Sequence, residues 1–133
     1  MRAEQNLSGG ILIVEDHVST ANVLQKFIAC NLPEIEIETA QSAEAALDLC
    51  RNRPPRLVIL DINLPGIGGL EAIALFKAID HNIRVVMHTS NDALVFREKS
   101  LAAGADGFVS KTSTFSELVP AIVSWLRPAV VPR

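Results

Sequence analysis

The sequence predicts an α/β fold in which a parallel β-sheet carries helices on both faces. Short apolar runs alternate with segments of helical periodicity, and this strand–helix pair occurs five times along the chain. Two of the runs, Ile11–Val14 and Leu57–Leu60, contain only Ile, Leu and Val, which is typical of strands covered on both sides. Five such units most commonly form a doubly wound five-stranded sheet in the order 2-1-3-4-5, the flavodoxin-like (βα)5 architecture.

The amino-terminal half contains two strand–helix units. Residues 17–30 follow the first strand with apolar side chains at helical spacing, and Pro33 ends that helix. Residues 34–39 alternate isoleucines with acids, which predicts a half-exposed edge strand. Ser42 is the expected cap of a second helix. The apolar stripe of that helix consists of Ala43, Ala46, Leu47 and Cys50.

The carboxyl-terminal half contains three more units. Gly104 is the expected stop of the fourth helix. Thr114 and Glu117 have the spacing of a capping box for the last helix, and Pro120 predicts a kink or a late start there. The expected elements are the strands Leu57–Leu60, Arg84–Thr89 and Gly107–Ser110 and the helices 70–79, 92–103 and 114–125.

The composition indicates one globular domain with no affinity of its own for nucleic acid. The chain has 133 residues, 49% of them hydrophobic, and a formal net charge of −3. It therefore offers no basic face, and the six aromatic residues include no Tyr for a base-stacking platform. The expected domain covers residues 11–126, with a flexible leader at 1–10 and a tail or linker stub at 127–133.

The cysteines and the hydropathy pattern indicate a cytoplasmic location. Cys30 and Cys50 have no metal-ligand spacing and are interpreted as two buried thiols in a reducing compartment. The amino terminus lacks the apolar core of a signal peptide, and no apolar run is long enough to span a membrane.

Acidic, hydroxyl and cationic residues stand at the ends of four predicted strands. Glu15 and Asp16 follow the first strand, Asp61 follows the third, Thr89 ends the fourth and Lys111 follows the fifth. The carboxyl ends of parallel strands meet at one edge of the sheet, so these side chains are expected to converge. Neighbouring carboxylates repel one another and attract a divalent cation, and oxygen-only ligands suit Mg²⁺. A carboxylate nucleophile beside a metal and an ammonium group fits phosphoryl transfer to an aspartate.

Over residues 11–126 the chain resembles the receiver domain of two-component response regulators. Each matching segment alone is weakly specific, but all four occur in order and at the right intervals. They are 14–17 (VEDH), 61–70 (DINLPGIGGL), 85–90 (VVMHTS) and 104–111 (GADGFVSK).

The resemblance implies a phosphorylation site centred on Asp61. In this interpretation Asp61 accepts a phosphoryl group from the phosphohistidine of a sensor histidine kinase. Glu15 and Asp16 form the acidic pair that holds Mg²⁺, together with Asp61 and the backbone carbonyl of Asn63. Lys111 binds the phosphoryl group. Such chemistry is self-modification, so the chain is not expected to be an enzyme.

The resemblance also implies a conformational switch. Thr89 corresponds to the switch hydroxyl and Phe108 to the switch aromatic. Phosphorylation adds about two negative charges, draws Thr89 and Lys111 inward and lets Phe108 turn into the vacated space. The surface formed by the fourth helix, fifth strand and fifth helix then changes shape. A homodimer through this surface, or through the first and fifth helices, is a possible result.

One departure from the family pattern bears on the output. Thr112 follows Lys111 where these domains usually have Pro. The sequence of residues 108–113 (FVSKTS) is more similar to that of receivers of helix-turn-helix DNA-binding regulators. We therefore expect control of transcription through a DNA-binding domain absent from this chain. The alternative is a stand-alone receiver that acts on a protein partner or in a phosphorelay.

Other functions agree less well with the residues. An aspartate-nucleophile phosphatase needs a second acid where Asn63 stands, and a flavin-binding relative would place its phosphate against Glu15 and Asp16. A degenerate scaffold would not keep the full set of site residues. His17 is interpreted as a residue at the site edge, His81 as a surface residue and His88 as packed or partly buried. The apolar cluster of Leu94, Val95, Phe96 and Leu101 is either part of the core or a partner surface.

Overall fold

A computed structural model describes residues 10–90 and 94–126, and over these residues the predicted fold is confirmed. The predicted leader and tail lie outside the described residues, except for Gly10. The strands are β1 (Ile11–Val14), β2 (Ile37–Ala40), β3 (Leu57–Leu60), β4 (Arg84–Thr89) and β5 (Gly107–Ser110). All neighbouring strands are parallel, and their order is β2-β1-β3-β4-β5.

The helices lie close to their predicted positions, except that the predicted start of the fourth helix at residue 92 lies outside the described residues. They are α1 (Val18–Asn31), α2 (Ala43–Asn52), α3 (Gly69–Ile79), α4 (Leu94–Ala102) and α5 (Val119–Leu126), with a 3-10 turn (Lys111–Ser113) and a π turn (Thr114–Leu118) before α5. Ser42 caps α2 as predicted by accepting a hydrogen bond from the N–H of Ala45. Gly104 has the positive φ of +109° that a helix-terminating glycine allows. None of the helices within the described ranges has both the length and the apolar composition needed to cross a membrane.

The sheet separates two apolar layers because successive side chains of a strand point to opposite faces. Leu12 and Val14 of β1 belong to the layer that contains α2 and α3. Ile11 and Ile13 belong to the opposite layer, with α1 and α5. β1 and β3 are buried along their whole length, which confirms the prediction from their unbroken apolar composition.

The edge strand β2 begins later than predicted. The N–H of Ile35 donates to the carbonyl of Leu32 at 3.2 Å, which closes a turn over residues 32–35 that overlaps the start of the predicted strand. Pairing with β1 starts only at Ile37, opposite Ile11. The alternation of isoleucines and acids correctly indicated one buried face but did not show where the turn ends.

The segment after β5 differs most from the prediction. The expected helix 114–125 is a π turn followed by α5, so the late helix start predicted from Pro120 is confirmed. Pro120 is the second residue of α5, at the point where the π turn passes into the α-helix. The predicted capping box is wrong, because Ser113 and not Thr114 precedes the π turn and the hydroxyl of Thr114 donates to the carbonyl of Lys111 instead.

The two cysteines occupy different environments, so the prediction of two buried thiols is wrong for one of them. Cys50 is buried on the inner face of α2, whereas Cys30 is exposed on α1. Both are free. Burial raises the pKa of the Cys50 thiol to about 11, so this thiol is protonated and unreactive at neutral pH.

Candidate functional site

The predicted site residues converge on the carboxyl edge of the sheet, and Lys111 connects them. Its ammonium group donates to Glu15 Oε1 at 2.7 Å and to Asp61 Oδ2 at 2.9 Å. Glu15 is 2% and Asp61 5% exposed. β1 and β3 are neighbours in the sheet, so the residues that follow them emerge side by side. Lys111 reaches both carboxylates from the end of β5.

The electrostatics of this contact favour a charged lysine. Burial alone would lower the pKa of Lys111, but its hydrogen bonds to Glu15 and Asp61 and their negative charges outweigh burial and raise the pKa above 10.5. The ammonium group therefore stays positive at neutral pH. Removing either carboxylate would leave a partly buried cation with one acceptor fewer.

Asp16 and His17 stand at the outer side of the same edge. The Nδ1 atom of His17 lies 3.1 Å from Glu15 Oε2 and 3.3 Å from Asp16 Oδ1. One ligand atom from each of Glu15, Asp16 and His17 lies within 4.8 Å of the others, a grouping that could hold a metal ion. Asp16 Oδ1 is buried, and its 3.3 Å contact with His17 Nδ1 is not a hydrogen bond, so this oxygen accepts none within the described residues. An unbonded buried carboxylate oxygen is costly without a cation, so the donor set fits one.

Asp61 itself is oriented by two contacts. Its Oδ2 accepts from Lys111, and its Oδ1 accepts from the backbone N–H of Asn63 at 3.2 Å. Asp61 is not among the three residues of the metal-ligand grouping. The structure therefore places Asp61 beside Glu15 through Lys111, whereas the predicted carbonyl ligand Asn63 contacts Asp61 through its N–H.

The start of α3 packs directly against the Asp61 loop. A Cβ atom on Gly69 would lie 2.1 Å from the carbonyl oxygen of Asp61 and 2.7 Å from the Cα of Ile62. The N–H of Gly69 also donates to the carbonyl of Ile62 at 3.0 Å. Glycine is therefore required at this position by space, and it fixes the loop that carries Asp61.

The two predicted switch residues are both buried. Thr89 is fully buried at the end of β4, opposite Ser110 in the register with β5. Phe108 is 7% exposed and packs in the layer of α2 and α3. The guanidinium carbon of Arg97 in α4 lies 5.0 Å from the centre of the Phe108 ring, within the range of a cation–π contact.

The prediction that His88 is packed or partly buried is confirmed, but its hydrogen-bond partner was not predicted. His88 is 4% exposed, and its Nε2 lies 2.8 Å from Thr114 Oγ1. Burial, and secondarily the charge of Lys111, lowers the pKa of His88 to about 4, so the imidazole is neutral at pH 7. A histidine directly after the apolar residues 85–87 was the available signal, but its partner 26 residues later was not deducible.

The family can be named from this geometry together with sequence similarity. Residues 11–123 match the family model of the response regulator receiver domain. The chain belongs to this family. It is 34% identical over 113 residues to the transcriptional activator protein ExaE of Pseudomonas putida, covering 85% of this chain and 53% of that protein. It is 33% identical over 116 residues to the response regulator GacA of Pseudomonas aeruginosa, covering 84% and 52%. The receiver chain thus spans about half the length of these curated relatives.

Solved receiver structures have the same fold. A LuxR-family DNA-binding response regulator from Staphylococcus aureus superposes with a TM-score of 0.80 at 28% identity, covering 88% of this chain and 98% of that chain. The receiver domain of NtrX from Brucella abortus superposes with a TM-score of 0.81 at 27% identity, covering 90% and 99%. This chain is therefore a receiver domain of the two-component response regulators.

Proposed function

We propose that this receiver accepts a phosphoryl group on Asp61 from the phosphohistidine of a sensor histidine kinase. The observation that carries the proposal is Lys111, whose ammonium group holds Glu15 and Asp61 together at the carboxyl edge of the sheet. An oxygen of the Asp61 carboxylate attacks phosphorus, the phosphorus–nitrogen bond breaks and the electron pair stays on the imidazole. The product is an acyl phosphate whose oxygens Lys111 can bind.

A divalent cation belongs to this proposal. Glu15 and Asp16 would hold Mg²⁺ with Asp61 and the carbonyl of Asn63, and the buried, unbonded Oδ1 of Asp16 supports such a ligand. The ion would offset the negative charge that gathers where carboxylates meet a phosphoryl group. His17 borders Glu15 and Asp16 and would restrict access to the ion from solvent. The chemistry modifies the receiver itself, so we do not assign an enzymatic activity towards other substrates.

Phosphorylation would then act through Thr89 and Lys111. Thr89 ends β4, which pairs directly with β3, the strand that precedes Asp61. Lys111 follows β5, which lies one strand further along the sheet. Thr89 supplies a hydroxyl and Lys111 a cation for the new oxygens. Their movement would alter the surface of α4, β5 and α5. On this surface Arg97 of α4 lies over the ring of Phe108, a residue of β5. A homodimer through this surface, or through α1 and α5, is a consistent outcome.

The output is proposed from the relatives. Proteins named as transcriptional activators or response regulators match over about half their length. We therefore propose that this receiver controls transcription through a DNA-binding domain outside this chain, in the cytoplasm. A receiver that acts alone on a protein partner or in a phosphorelay is the second candidate. A phosphorylation-dependent contact between this chain and such a protein partner would favour it.

The test is acetyl phosphate with Mg²⁺, read by intact mass. We expect a gain of one phosphoryl group on the wild-type chain and none on Asp61→Asn. Asp48→Asn is the matched control, because Asp48 is an exposed aspartate that pairs with Arg51 on α2. Loss of the adduct in the control, or an unchanged adduct in Asp61→Asn, would remove Asp61 as the acceptor. Beryllofluoride with size-exclusion chromatography then tests dimer formation.

A further inference from the structure

The side chain of His88 lies beside the phosphorylation site without facing Asp61. Its register partner Val109 and its strand neighbour Val86 both belong to the layer of α1 and α5, so the imidazole points into that layer. There it lines a cavity of about 300 Å³ together with Lys111, Thr114 and Phe115. His88 thus lies on the α1 and α5 side of the sheet, and Thr114 connects it to Lys111.

The hydrogen bonds of Thr114 determine which nitrogen of His88 carries the proton. Thr114 has one hydroxyl proton, and it donates that proton to the carbonyl oxygen of Lys111 at 3.0 Å. The same hydroxyl oxygen lies 2.8 Å from Nε2 of His88. Thr114 can therefore only accept in that second contact, and the imidazole must donate from Nε2.

These two bonds fix the backbone of Lys111 to β4. Receivers with proline after the lysine have a rigid ring at this point, but here Thr112 follows. Lys111 belongs to a 3-10 turn and Thr114 starts a π turn, both less regular than an α-helix. A chain of bonds from β4 through Thr114 to the Lys111 carbonyl limits where the lysine side chain begins.

We propose that His88 is a positioning residue for phosphorylation: its Nε2–H donates to Thr114, Thr114 donates to the Lys111 carbonyl, and this relay holds the Lys111 ammonium group at Asp61. The inference rests on the proposed function, because it concerns how Lys111 meets the phosphoryl group. The roles proposed for Asp61 and for the cation do not depend on this relay.

The first test is structural and does not need phosphorylation. The ¹⁵N shifts of the His88 ring in the full chain should show a protonated Nε2 and an unprotonated Nδ1 at neutral pH. Thr114→Val should shift the Nε2 signal, and Thr114→Ser should leave it as in wild type. A ring protonated at Nδ1 would overturn the relay, since Thr114 would then have to donate to His88 and release Lys111.

The second test is kinetic. We expect His88→Leu and Thr114→Val each to lower the rate of Asp61 phosphorylation by acetyl phosphate about tenfold, and the double variant to lose no more than either single variant. His88→Gln, whose amide can donate at a similar distance, should recover most of the rate. Ile28→Val is the matched control, because it removes a buried methylene from the same layer at a side chain that cannot form hydrogen bonds.

The outcomes separate this inference from the proposed function. A wild-type chain that takes up no phosphoryl group would overturn the function of Asp61. Folded His88→Leu and Thr114→Val chains that phosphorylate at the wild-type rate would overturn the relay alone. Equal rate losses in Ile28→Val and His88→Leu at matched urea stability would show a purely structural role for His88. If His88→Leu does not fold, Thr114→Ser and Thr114→Val form the deciding pair.

Discussion

Acid should weaken the fold through His88 over a defined range of pH. The unfolded chain protonates His88 as the pH falls through 6.5, whereas the folded chain resists until its pKa of about 4. Between these values the unfolded state binds more protons, so the free energy of unfolding decreases as the pH falls. Above pH 6.5 the contribution of the neutral imidazole is fully present.

The magnitude follows from the shift. A change of one pKa unit corresponds to about 1.4 kcal/mol, so the lowered pKa of His88 corresponds to about 2 to 3 kcal/mol of stability lost by about pH 4. That loss is a large part of the free energy of unfolding of a typical domain, which is about 5–15 kcal/mol. Lys111 lowers the pKa of His88 in this environment, while Glu15 and Asp61 raise it to a lesser extent.

The assay is urea unfolding of the wild type and of His88→Gln between about pH 7 and pH 4.5. The slope of stability against pH is compared, because glutamine changes the absolute stability at every pH. We expect the wild type to lose stability on acidification and His88→Gln to lose markedly less over the same range. Parallel slopes for the two chains would refute the reasoning, since the acid sensitivity would then belong to other groups.

Three further predictions concern other parts of the molecule. Gly69→Ala should lower stability by about 1 to 3 kcal/mol and slow phosphorylation, whereas Gly68→Ala, with no atom nearer than 4.0 Å to its Cβ, should do neither. A maleimide reagent should label native Cys30 but not Cys50 until urea is added, and two fast labels would contradict the burial of Cys50. Asp106→Ala should lower the urea-derived stability by about 1 to 3 kcal/mol, because the buried N–H of Val85 loses its 2.9 Å acceptor, while Asp106→Asn should lose less.

The strands and the site edge could be predicted because one physical rule determines each. An unbroken run such as Ile11–Val14 has no polar face, so it must be covered on both sides. Once the order of the sheet is known, the residues after each strand lie at one edge, and this places Glu15, Asp61 and Lys111 together. The distances from Lys111 to both carboxylates agree with that expectation.

Other features could not be predicted because competing local rules decide them. Thr114 and Glu117 have capping-box spacing, but the carbonyl of Lys111 and the imidazole of His88 offer the Thr114 hydroxyl better partners. The His88 partner is not visible in a local window, because it lies 26 residues earlier in the chain. The exposure of Cys30 likewise depends on how α1 is rotated against the sheet, which the helical period alone does not specify.

The position of Phe108 bears on the proposed switch. The family resemblance predicts that the aromatic ring turns inward when Thr89 moves. In this structure the ring is already buried, and Arg97 lies over its face at 5.0 Å. A contact of this kind favours the inward ring by about 1 kcal/mol. In the proposed switch a phosphoryl group would therefore act on a ring that is already buried. Because Arg97 belongs to α4, an effect on this ring would reach the helix whose exposed apolar residues are Leu94, Val95 and Leu101.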